Sequence, residues 1–223
     1  MKIPFTVDQF LSVFVNYNTA IWPMQILAYL LGITAVYLLI KKTRLSDKII
    51  SGLLSFTWIW VGAVYHITYF SSINKAAYLF GALFIVQGIF FLLYGVLKPG
   101  IVYGQESKKY RFVGGAFILY AMLIYPVLGY LQGHGYPQSP VFGVAPCPVT
   151  IFTFGLLLFA DNLPVRIVVI PLLWSVIGFF AALNMGIRED IGLLVAGLVG
   201  SSMIILKQRA HETASIKILA TKM

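Results

Sequence analysis

The chain has 223 residues, of which 60% are hydrophobic, 15% aromatic and only 10% charged. A soluble domain carries about 25% charged residues, so the composition excludes an ordinary soluble enzyme. The net charge is +9, from 16 Lys and Arg against 7 Asp and Glu, and the single cysteine excludes an intramolecular disulfide.

Taken in chain order, Phe5 to Phe14 reads as a short amphipathic helix lying on the outer membrane surface. No secretory pattern is present there, so the first long apolar run is expected to stay as an anchor. Seven apolar segments follow. They run from Trp22 to Ile40, Ile49 to Phe70, Ala77 to Leu97, Phe112 to Leu131, Pro148 to Ala160, Leu163 to Leu183 and Ile191 to Leu206. A crossing helix needs about 20 apolar residues. The fifth segment falls well short.

Charge placement tests whether that fifth segment crosses. Lys41, Lys42, Arg44 and Lys48 follow the first segment, and Lys98, Lys108, Lys109 and Arg111 follow the third. Arg166 opens the sixth, and Lys207, Arg209, Lys217 and Lys222 close the chain. With seven spans and the N-terminus outside, 13 of the 16 basic residues fall inside; Lys2, Lys75 and Arg188 fall outside. The alternative has six spans and a short re-entrant fifth segment, and it puts the basic tail outside. The expected fold is therefore all-α: a polytopic bundle of seven spans, N-terminus outside and C-terminus inside. One membrane domain covers residues 1–206 and a basic cytoplasmic tail covers 207–223. The basic groups suit anionic lipid on the inner leaflet. Nucleic acid is disfavoured, because no folded basic domain is present.

Local signals refine the helices. Asp161 and Asn162 are placed to cap the sixth helix ahead of Pro164. Pro171 is expected to kink that helix. Gly178, Ala182 and Gly186, and Gly192, Ala196 and Gly200, form four-residue rows that allow close helix packing. Trp58, Trp60 and Trp174 read as core fillers, and Gln87 should face another helix.

No Lys, Arg, Asp or Glu lies deep in the first four segments, so a central proton relay is not evident. Polar groups collect near the outer ends instead. Asn18 and Gln25 flank the first span, His66 and Tyr69 end the second, and His134 follows the fourth. Cys147 and Thr150 open the fifth, and Glu189 and Asp190 precede the seventh. An outward-facing pocket is the expected site. His66 suits a metal ligand, proton carrier or hydrogen-bonding group, against a purely structural histidine. Cys147, between two prolines at a helix start, suits a soft ligand or nucleophile, against a buried small hydrophobe. His66, His134 and Cys147 together would offer a Cys/His2 set for copper or zinc, although no spacing brings them together. Glu189 and Asp190 suit cation attraction or capping of the last helix. The stretch from Gly133 to Thr150 has four prolines before Val149 and no charge. It reads as an ordered cap folded into the outer mouth.

Several runs carry a resemblance. They are Phe5-Thr6-Val7-Asp8-Gln9-Phe10, Tyr17-Asn18 with Trp22-Pro23, Val64-Tyr65-His66, Tyr136-Pro137, Phe142 to Gly155 (FGVAPCPVTIFTFG), and Ile170 to Ser175. The sequence resembles an uncharacterised family of small bacterial multispan integral-membrane proteins. That resemblance implies a standalone multispan protein in a bacterial cytoplasmic membrane. It supplies no substrate, cofactor or residue role.

Two classes of function compete, with a third behind them. The expected one is a small-solute or metal-ion transporter using the outer pocket. The alternative is a membrane enzyme using Cys147 or His66, disfavoured because no HExxH motif or Ser/His/Asp signature is present. The third is a non-catalytic membrane component that binds a partner. No catalytic residue is assigned and no cofactor is implied.

Overall fold

The computed structural model describes residues 4–98, 100–104 and 107–221, with side chains to 210 and at Thr213. Lys2 and Lys222 of the charge pattern lie outside the described residues. Helix α1, Val7–Ala20, starts from a reciprocal cap. Gln9 N donates to Thr6 Oγ1 at 3.2 Å, and Thr6 N donates to Gln9 Oε1 at 2.9 Å. A turn at Ile21 to Pro23 then bends the chain by 85° into α2, Met24–Ile40. Helix α1 buries Val13, Phe14, Tyr17 and Asn18 and exposes Asp8, Gln9, Ser12 and Asn16. Its apolar face meets protein rather than lipid: Phe14 stacks on Tyr65 with centroids 5.1 Å apart.

Among the described residues, five helices are long and apolar enough to cross a membrane, and the bent α1–α2 pair makes up to six. They are α3 (Ser46–Ser72), α4 (Ala77–Leu97), α5 (Lys108–Leu131), α7 (Val165–Met185) and the stretch Arg188–Ala210. A tight turn, Arg188–Asp190, leads in that last stretch into α8, Ile191–Thr221. Between α5 and α7 lies α6, Pro146–Leu157, only 12 residues long. At 1.5 Å per residue it reaches about 18 Å, against a hydrocarbon core of about 30 Å. All 12 of its residues are buried, so α6 is sheathed by protein on every side. Helices α3, α5, α7 and α8 pack around it.

The two ends of α6 meet different layers. At its start, Cys147 lies beside Asp190, at the beginning of α8. Just past its end, the Ala160 carbonyl accepts from Lys207 Nζ at 2.6 Å, near the far end of the same apolar stretch. This second end also carries a two-stranded antiparallel ladder, β1 (Val102–Tyr103) with β2 (Ala160–Asn162). Asp161 pairs there with Lys207 at 3.3 Å. Asp47 accepts from Lys42 at 2.8 Å and from Tyr103 N at 2.9 Å. Asp161 and Asn162 thus belong to a strand, and the turn opening α7 has no side-chain cap.

Three carbonyls near prolines are met by side chains. Pro126, inside α5, has no N–H for the carbonyl of Met122. Val144 lies just ahead of the α6 cap and Ile167 in the opening turn of α7. Each accepts a side chain from another element. Tyr29 Oη donates to Met122 O at 3.0 Å, Tyr17 Oη to Val144 O at 2.8 Å, and Gln87 Nε2 to Ile167 O at 3.0 Å. The expected kink at Pro171 is replaced by a tight turn, Val165–Val168, so this proline sits in the first turn of the α-helical part. Ahead of Pro126, α5 widens into π-type turns over Tyr120–Ile124. Helix α3 widens likewise over Val61–Tyr69. There Gly62 meets Gly81 of α4 so closely that a Cβ on either would strike the other's carbonyl.

Candidate functional site

The segment from His134 to Ala145 is fastened over the end of the bundle where α1 lies. Asn18 Nδ2 donates to Pro137 O at 2.7 Å and to Ser139 O at 2.9 Å. Gln25 Nε2 donates to Asn18 O at 2.8 Å. Gly143, at φ +76°, turns the segment against Ala28, where a side chain would not fit. Asn18 and Gln25 are therefore fasteners of this cap. Tyr69 packs on Tyr17 with centroids 5.2 Å apart. Thr150 Oγ1 returns to Pro146 O at 2.8 Å within α6. None of these four lines the cavity described below.

Glu189 and Asp190 are both buried, at 0% and 3% exposure. Adjacent in sequence, they serve different neighbours. Glu189 Oε1 pairs with His134 Nε2 at 2.8 Å, and Glu189 Oε2 accepts from Gln132 Nε2 at 2.8 Å. The Glu189 carbonyl accepts from Tyr120 Oη at 2.7 Å, and Gln132 Oε1 accepts from Arg188 N. Gly192 leaves room for the Tyr120 ring to reach across. Glu189 thus clasps the end of α5 to the start of α8.

Asp190 faces a cavity instead. Its Oδ1 accepts from Tyr125 Oη at 2.7 Å, and the Cys147 side chain is a neighbour of its carboxylate. Among the described residues, no ion pair reaches Asp190. The cavity has a volume of about 630 Å³ and lies between α1, the start of α4, the start of α6 and α7. Phe5, Phe10, Phe14, Tyr65, Phe80 and Trp174 give it aromatic walls, and Cys147 and Asp190 supply buried polar groups. Exposed Ile177, Phe180 and Asn184 of α7 border it.

His66 stands one ring behind that wall. It is fully buried, and neither ring nitrogen has a hydrogen-bond partner among the described residues. Phe84, Trp174 and Tyr65 surround it, with ring centroids 4.8, 5.0 and 5.1 Å away. His66 does not line the cavity, whereas Trp174 packs against His66 and does line it. Its indole N–H has the Cys147 sulfur as a neighbour but reaches no partner at strict hydrogen-bond geometry.

The structure therefore brings Cys147 and Asp190 together and sets His66 behind the same indole. It does not gather the expected Cys/His2 set. Among the described residues no three His, Cys, Asp or Glu are placed to hold a metal ion. The physical reason is that His134 is committed to Glu189 and His66 is enclosed by aromatic rings. Gln132 and Tyr120 carry no local sequence signal for this role, since 57 and 69 residues separate them from Glu189. Trp174, expected to fill the core, also lines the cavity.

The profile of a family of unknown function (DUF6064) matches residues 7–215, and the chain belongs to that family. No curated protein and no solved structure matches it.

Proposed function

We propose that this protein is a small-solute permease whose cavity takes an organic cation with an apolar or aromatic body. The observation that carries this reading is the Asp190 carboxylate, buried in an aromatic-walled cavity with Tyr125 and Cys147 for neighbours and no basic partner. A cation fits such a wall twice over, by charge at Asp190 and by the faces of the rings. The volume falls within the range of small-molecule pockets. Aromatic and apolar walls favour an organic cation over a metal ion. A thiol beside a carboxylate lacks the electropositive surroundings that activate cysteine nucleophiles, which disfavours the enzyme reading.

The reading includes seven crossings with the cavity facing outward. Two observations support it. The ends of α6 meet opposite ends of the Arg188–Ala210 stretch, through Asp190 and Lys207. Lys42, Arg111 and Lys207 gather at the end away from the cavity, the end expected inside. The setting is a bacterial cytoplasmic membrane with anionic lipid at the basic end. Proteoliposomes loaded with ethidium test the function. The expected result is protein-dependent release, lowered about tenfold by Asp190→Asn. Release equal to that of empty liposomes overturns it.

A further inference from the structure

Away from the Asp190 cavity, a second concave region lies between α2 and α5. The two helices are tied at the Tyr29–Met122 hydrogen bond. From there toward the basic end an open groove of about 1530 Å³ separates them. Ile33, Tyr37, Phe112 and Leu119 form its sides, all strongly exposed. Tyr103 and Phe159 close its floor beside the β1–β2 ladder. Among the described residues, Lys42 and Arg111 are its only charged lining residues.

We infer that this groove binds one anionic phospholipid, with its phosphate at Lys42 and Arg111 and an acyl chain laid between α2 and α5. Charge complementarity and length argue for that occupant. The apolar wall from Tyr29 to Ile40 runs about 17 Å along α2. One leaflet contributes half of a hydrocarbon core of about 30 Å, so the groove is one acyl layer deep. The cations stand where that layer meets the headgroups. Asp47 fixes the Lys42 ammonium at the rim through its 2.8 Å pair. Arg111 is exposed and, among the described residues, makes no ion pair, so it is free to meet a phosphodiester. Basic pockets between spans at a charged membrane face suit anionic headgroups. The inference does not depend on what the Asp190 cavity binds.

Native mass spectrometry of the detergent-purified protein tests it, with dioleoyl phosphatidylglycerol and dioleoyl phosphatidylcholine as probes. The expected result is one tightly retained phosphatidylglycerol and weaker phosphatidylcholine. Arg111→Gln should weaken phosphatidylglycerol about fivefold and Lys42→Gln/Arg111→Gln about 25-fold, with a smaller loss for phosphatidylcholine, whose choline offsets its phosphate. Gly115 lines the groove, and a Cβ there meets open space. Gly115→Trp should therefore fill it and displace both lipids while the melting temperature in lipid-free detergent holds. Equal retention of the two lipids overturns the inference. So does undiminished phosphatidylglycerol binding by the double variant, or isolation of a dimer that excludes lipid.

Discussion

Tyr17 donates its hydroxyl to the Val144 carbonyl over 2.8 Å, just ahead of the Ala145 cap that opens α6. In a hydrocarbon layer an unsatisfied carbonyl is costly, and lipid offers no replacement donor. Tyr29 donates to Met122, the carbonyl that Pro126 leaves without an N–H, and Gln87 donates to Ile167 in the opening turn of α7. These bonds tie α1 to the start of α6, α2 to α5 and α4 to α7.

Coupling follows from this pairing. Tyr29→Phe should lower stability by about 1 kcal/mol, the order found for hydrogen bonds between membrane helices. In a Pro126→Ala background the helix can supply its own N–H, and the same change should cost much less. Thermal unfolding of the four proteins in detergent measures the difference. An equal cost in both backgrounds contradicts the assignment.

The clasp at Glu189 should behave as a buried pair. His134→Ala leaves one oxygen of a fully buried carboxylate without its partner, and should cost about 2 kcal/mol. Added salt should leave that cost nearly unchanged, because buried pairs are weakly screened. Melting curves at low and high salt check both points. A loss that disappears at high salt would place the pair at the surface.

Asn18→Ala removes two hydrogen bonds that hold the capping segment at Pro137 and Ser139. Faster amide exchange over residues 138–144 is expected, with exchange in α6 unchanged. Exchange that rises equally in α6 would show that Asn18 supports the whole bundle rather than its cap.

Gly62→Leu should separate α3 from α4, since even a Cβ there meets the Gly81 carbonyl. The expected loss is about 3 kcal/mol or failure to assemble. Gly115→Leu, in a helix of the same bundle but facing open space, should cost little. Comparable losses at the two glycines, measured by thermal unfolding, would remove the packing argument.

The long helices were legible because apolar length is a local property. Met24–Ile40, Ser46–Ser72 and Ala77–Leu97 lie close to the runs drawn from residue order alone. The burial of α6 was not legible, because its apolar residues read the same whether lipid or protein surrounds them. Widened turns in α3 and α5 leave no signature in apolar periodicity. At the site, the order of residues does not reveal the partners of the polar groups. Glu189 and Asp190 look alike in sequence. Only the folded chain turns one toward His134 and Gln132, and the other toward Tyr125 and the cavity. Asn18 and Gln25, read as pocket groups, are spent on backbone carbonyls of the cap and of α1.

The central claim is that Asp190 makes the aromatic cavity a cation site. Fluorescence anisotropy of ethidium, titrated with purified wild-type and Asp190→Asn protein, tests it most directly. The account predicts saturable one-to-one binding that weakens about tenfold or more in the variant, while the melting temperature of the unliganded proteins stays similar. Equal affinity for the two folded proteins, or no saturable binding to either, would contradict it.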